Sequence, residues 1–140
     1  MLVNVGSMRP KVTVVVPVYK VEQYIERCAR SLFEQTLQEM EYIFVDDCSP
    51  DNSIEILNNI IEQYPHRKKQ TIILKNSQNR GLLQTRLFGF LHAKGVYLGT
   101  VDSDDWIEPD AFSTLYQKAE EKKADCVLFG YHRDFSNRSE

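Results

Sequence analysis

Short apolar runs alternate with segments of helical periodicity along nearly the whole chain, and this alternation limits the fold more than any other feature. The run Lys11–Val16, KVTVVV, is β-branched and almost wholly apolar, as in a strand covered on both faces. Pro17 is expected to close it, because proline has no N–H for a central ladder. A helix is read over Val21–Gln35, with Tyr24, Ile25, Cys28, Ala29, Leu32 and Phe33 on one face and Glu22 and Glu26 near its positive end. Further strands are read at Glu41–Asp46, Thr71–Leu74, Val96–Val101 and Ala124–Phe129. The polar turn DDCSPDNS leads to a helix capped by Asp51 or Ser53 and buried through Ile54, Leu57, Ile60 and Ile61. Tyr64–Lys69, YPHRKK, reads as a surface loop. A helix with Leu83, Leu87, Phe90 and Leu91 on its apolar side follows Gly81, and Pro109 opens another carrying Phe112, Leu115, Tyr116 and Ala119.

The alternation predicts an α/β layered fold with a mostly parallel central sheet flanked by helices. Such sheets bind ligands beyond the carboxyl ends of their strands. The polar clusters Tyr19–Glu22, Asp46–Ser49 and Asp102–Asp105 all fall there and are expected to share one cleft. Residues 11–130 are read as one unit, 1–10 as a leader segment and 131–140 as the start of a further region, because FSNRSE looks like a break inside a longer chain. The net charge of -3 argues against nucleic-acid binding. No apolar run reaches membrane-spanning length, and Cys28, Cys48 and Cys126 have neither disulfide-framework nor metal-site spacing. Reduced thiols and a cytoplasmic setting are expected.

Asp102-Ser103-Asp104-Asp105 carries the strongest chemical signal. Three carboxylates in four residues repel one another, and a hard divalent cation relieves that repulsion while bridging to phosphate oxygens. Asp102 and Asp104 point the same way if the extended geometry persists, and Asp105 either joins the ion or holds a ribose hydroxyl. The competing reading is an acidic turn with Asp105 as a helix cap. Asp46-Asp47 suggests one buried structural carboxylate and one exposed carboxylate able to accept a uracil N–H, or to cap the turn through Ser49. Arg86, set among apolar positions, reaches a diphosphate bidentately or pairs with Asp46 or Asp47. Gly81 permits a tight helix entry, Arg80 reads as a surface ion pair, and Tyr19 either stacks on a base or belongs to the core. GxGxxG, GxxxxGK[ST] and GxSxG do not occur, which argues against a dinucleotide domain, a P-loop and a hydrolase elbow.

Taken in order, KVTVVVPVYKVEQYIERCARSLFEQTLQEMEYIFVDDCSPDNS and NRGLLQTRLFGFLHAKGVYLGTVDSDDWIEPDAF resemble family-two glycosyltransferases of the GT-A fold, over about Lys11 to Phe129. The resemblance implies an inverting transfer of sugar from a nucleotide sugar, a UDP-sugar first, to a saccharide or lipid-linked acceptor. It assigns nucleotide contacts to Pro17, Val18, Tyr19, Glu22, Asp46, Asp47, Arg86 and Ser103. It assigns Mn2+ or Mg2+ to Asp102, Asp104 and Asp105. Work in polysaccharide synthesis, at the inner face of a membrane, is a family-level expectation. Lys20, Cys48, Gln84-Thr85 and Leu87-Phe88 depart from the family pattern. Nothing matches the family's general base, Glu120 and Glu121 read as solvated helix charges, and the chain alone is expected to be inactive as a transferase. The rival readings are a nucleotidyltransferase, a degenerate nucleotide-binding scaffold, and a chain that self-associates through exposed apolar surface.

Overall fold

The computed structural model describes residues 9–133. Strands β1 (Val12–Val18), β2 (Met40–Asp46), β3 (Thr71–Lys75) and β4 (Tyr97–Thr100) form one parallel sheet in the order β3-β2-β1-β4. Helices α1 (Ile25–Phe33), α2 (Ser53–Glu62), α3 (Pro65–Lys68), α4 (Leu82–Leu91) and α5 (Ala111–Lys122) fill the connections. The mostly parallel α/β architecture expected from the alternation is the one present. Among the described residues, no helix is long and apolar enough to cross a membrane.

Every residue of β1 is buried, because helices cover both faces of the sheet. Val14, Val16 and Val18 pack with Ile25, Leu32 and Phe33 of α1, Leu57 of α2 and Phe112 of α5. Val15 turns to the other face, where it meets Ile43, Val45 and Phe88 of α4. Gly89 lets α4 settle there: a Cβ on it would lie 2.4 Å from the Val15 Cγ1. The helix therefore rests almost directly on the strand.

Pro17 does not close β1 but lies within it, opposite Val45. The Val15 carbonyl accepts from Val101 N–H on the β4 side, and the Val18 carbonyl accepts from Asp47 N–H on the β2 side. By strand alternation Pro17 shares the side of Val15, and the β1–β4 register ends at Val15 and Thr100. The missing N–H thus removes no ladder bond.

Two other segments depart from the sequence reading. Tyr64–Lys69 is not simply surface loop, since it contains α3 and Arg67 is 1% exposed. The Arg67 guanidinium donates to the carbonyls of Phe33, Gln35, Leu37 and Gln38 and to Gln70 Oε1, at 2.6 to 3.1 Å. The end of α1 leaves carbonyls without helical partners, and this planar cation satisfies them. Ala124–Phe129 forms no strand, and Leu128 and Phe129 are exposed. A strand-like pattern becomes a strand only beside a neighbour that completes its ladder, and among the described residues none pairs with this one. Residues 1–8 and 134–140 of the expected leader and further region lie outside the described residues. Arg9 and Pro10 pack on the turn before β4 through Lys94 O and Val96 N–H.

The Arg67 network sets a test of stability. Lysine supplies a point charge instead of a five-donor plane, so Arg67→Lys is expected to lower the unfolding free energy by about 2–4 kcal/mol. Urea denaturation of the two proteins measures it.

Candidate functional site

The loops at the carboxyl ends of β1, β2 and β4 converge as expected, and backbone N–H groups hold most of their acids. The β1–α1 and β2–α2 loops are latched to each other. Lys20 N–H donates to Ser49 Oγ (2.8 Å), Val21 N–H to Ser53 Oγ (3.0 Å) and Glu22 N–H to Asp51 Oδ2 (3.2 Å). Asn52 N–H returns a bond to Glu22 Oε2 (3.1 Å). Lys20 and Cys48 reach these positions with φ of 52° and 59°, in the left-handed region. Glu22 is therefore a structural tie between the two loops. Asp51 also accepts from the Ser49 and Ser53 hydroxyls and from Ser53 N–H. Burial pushes its carboxyl up, but these bonds outweigh it and hold the group down at about 2.

Asp46 and Asp47 are both buried, at 6% and 3% exposure. Asp46 Oδ1 accepts from Ser49 N–H (2.8 Å). One of the pair was expected to be exposed, yet Asp47 too is covered, by the β3–α4 loop. Its Oδ1 accepts from Asn76 Nδ2 (2.9 Å) and Arg80 N–H (2.7 Å), and its Oδ2 accepts from Gly81 N–H (3.0 Å). Gly81 has φ 83°, the conformation that aims this N–H inward at the start of α4. Burial pushes the Asp47 carboxyl up, and the hydrogen bonds bring it below its ordinary value. Asn76 Nδ2 also donates to Thr85 Oγ1 (3.0 Å), so the network reaches α4.

The next residue of α4, Arg86, donates through Nη2 to Asp102 Oδ1. It does not pair with Asp46 or Asp47, because the helix turns it toward the end of β4. Its Nε is buried without a partner. Adjacent residues of one helix therefore join the buried acid after β2 to the acid cluster after β4. That cluster does not continue the strand: Asp105 N–H bonds back to the Asp102 carbonyl (2.9 Å), making a turn. The turn brings ligand oxygens of Asp102, Asp104 and Asp105 within 4.8 Å of one another. Burial, then the charges of Asp104 and Asp102, push the Asp105 carboxyl up. Asp105 caps no helix, since α5 starts at Ala111 with Asp110 at its cap. Ser103 is buried between the half-buried Asp102 and the exposed Asp104. The all-oxygen, anionic donor set suits Mg2+ or Mn2+, with Asp104 and Asp105 exposed and Asp102 shared with Arg86.

Tyr19 is 42% exposed, and Lys20 Nζ lies 5.3 Å from its ring centroid. Pro17 and Val18 are buried in β1, which leaves their backbone as what they can offer a ligand. Arg80 donates from its backbone to Asp47 and from its side chain to Ser77 Oγ. Asn76, Thr85 and the Ser49–Asp51–Ser53 latch went unrecognised in the sequence, where single polar residues carry no spacing signal.

Strand order, cleft position and acid cluster together define a GT-A-like α/β domain. The chain belongs to glycosyl transferase family 2, whose pattern matches residues 13–140. It is 38% identical over 131 residues to the uncharacterized glycosyltransferase EpsJ of Bacillus subtilis, covering 94% of this chain and 37% of that protein. It is 41% identical over 122 residues to glycosyltransferase GlyA of Streptococcus pneumoniae, covering 87% of this chain and 17% of that one. The crystal structure of S. aureus TarS 1-349 in complex with UDP superposes with a TM-score of 0.71 at 30% identity, over 79% of this chain and 32% of TarS 1-349. The chain thus spans well under half the length of each.

Asp51 gives the pH test. A carboxyl depressed by folding stabilises the fold above its unfolded value of about 4 and loses that contribution as the pH falls toward about 2. The stability gap between wild type and Asp51→Ala is therefore expected to be largest at neutral pH and to narrow through that window. Urea denaturation from pH 7 downward measures the gap.

Proposed function

We propose that this chain is the donor-binding part of an enzyme that transfers sugar from a nucleotide sugar, a UDP-sugar first, to a saccharide or lipid-linked acceptor. One observation carries the reading: neighbours Thr85 and Arg86 tie the Asp47 network to the Asp102–Asp105 cluster, which supports a base-recognising role for the first and a phosphate-side metal role for the second. Family membership supports the reaction class. The likeness to TarS, solved with UDP, supports uracil as the base.

In this reading Asp47 accepts a base N–H through the remaining acceptor capacity of its fixed carboxylate, and Tyr19 lies against the base. Arg86 leaves or shares Asp102 to meet the diphosphate, for which its buried Nε is an available donor. Asp102, Asp104 and Asp105 would hold Mn2+ or Mg2+, which when bound would stabilise the charge developing on the departing diphosphate. Pro17, Val18 and Ser103 shape the floor, and Glu22 keeps the two loops in register. We assign no general base, so the testable property of this chain is donor binding.

Calorimetric titration with UDP, GDP and CMP, with and without Mn2+, tests it. Manganese-dependent UDP binding is expected, weakened at least about tenfold in Asp104→Ala. Binding of GDP or CMP alone would overturn uracil as the base. A folded chain that binds none of the three would sink the donor site.

A further inference from the structure

Gln35 is 2% exposed and sits just past the end of α1, where the function has no use for it. Both N–H donors and the oxygen of its carboxamide are engaged by backbone. Nε2 donates to the carbonyls of Ser31 (3.0 Å) and Glu108 (2.6 Å), and Oε1 accepts from Phe112 N–H (3.1 Å). Phe112 N–H is one of the first-turn donors of α5 that a helix cannot satisfy internally. Asp110, at the cap position, makes no side-chain cap bond. Gln35 caps α5 from the segment that follows α1.

Helix α1 and the residues just after it also bond the segment upstream of α5. Cys28 Sγ donates to the Asp102 carbonyl (3.7 Å), Ile107 N–H donates to Ser31 Oγ (3.3 Å), and Thr36 N–H donates to the Pro109 carbonyl (2.8 Å). Asp104 and Asp105 sit in the span between the anchors at Asp102 and Ile107. Their mutual repulsion opposes the compact turn that gathers them, and the anchors at its ends join the Arg86–Asp102 pair and the turn's own hydrogen bond in holding it. Among these anchors Gln35 alone fixes three backbone groups with one rigid plane. Ionised glutamate lacks the donor and leucine lacks both functions, so only a primary amide of this length fills the role.

We propose that Gln35 is a positioning residue for the acid-bearing loop: by clamping Glu108 and Phe112 to α1 it sets the geometry in which Asp102, Asp104 and Asp105 meet a divalent cation. The loop-setting half stands on the hydrogen bonds alone, and the cation half rests on the donor-site reading above.

Two readouts separate them. Amide hydrogen exchange across Ser103–Ile107 reports loop geometry without metal. Trp106, the single tryptophan and the neighbour of Asp105, reports Mn2+ by fluorescence quenching. In Gln35→Leu, exchange in that span is expected to accelerate and the Mn2+ dissociation constant to rise about tenfold. Leu57→Val, a core change on α2, is expected to alter neither even where it lowers stability. Gln35→Glu keeps the acceptor for Phe112 and stands in if the leucine variant does not fold. Exchange and Mn2+ affinity matching the Leu57→Val control would overturn the proposal. A wild-type chain that binds no Mn2+ would remove the cation half and the metal reading together, leaving exchange to decide whether Gln35 sets the loop.

Discussion

Carboxylates crowd the carboxyl edge of this sheet, and the fold accommodates them by aiming backbone N–H groups at them. Ser49 N–H serves Asp46, Arg80 and Gly81 serve Asp47, Glu22 and Ser53 serve Asp51, and Asn52 serves Glu22. At Asp47 and Asp51 these bonds hold the carboxyl below its ordinary value against the upward push of burial. The donors from Glu22, Asn52, Arg80 and Gly81 cross between loops distant in sequence, so there holding the charges and joining the loops are one event. The Asp102–Asp105 turn is the exception. It has one guanidinium for three carboxylates, an imbalance that a divalent cation would correct.

The helix α1 links the two regimes. Its N-terminal approach, Val21 and Glu22, is latched to the loop after β2, and its later turns carry the contacts to Asp102 and Ile107. Beyond its last turn, Arg67 and Gln35 satisfy backbone groups that would otherwise be orphaned in the interior. A buried cation and a buried amide thus fix the helix from which both loops take their position.

The layers were legible in the sequence because two periods alternate: β-branched runs such as KVTVVV, and apolar faces such as Ile25, Cys28, Ala29 and Leu32. The acid clusters were legible because carboxylates rarely neighbour one another without a charge partner. Pattern says nothing about which backbone group a side chain will meet. Arg67 looked like loop charge because its five acceptors are contributed by tertiary structure. One of Asp46 and Asp47 looked exposed because the loop that buries Asp47 begins some thirty residues later, at Asn76. Pro17 was assigned a strand end because the side of the ladder it faces depends on where β4 stops. The pattern at Ala124–Phe129 describes a capacity to pair, and pairing needs a second edge.

Gly89 lies one turn along α4 from Arg86 and faces Val15 at a distance that admits no side chain. Any Cβ there would tilt the helix off the sheet, and the tilt would carry Thr85 and Arg86 with it. The reach of a guanidinium toward the end of β4 thereby depends on a bare glycine Cα where α4 meets β1. Changes that never touch the cleft can still retune it, as a shim under one leg levels or unlevels a whole table.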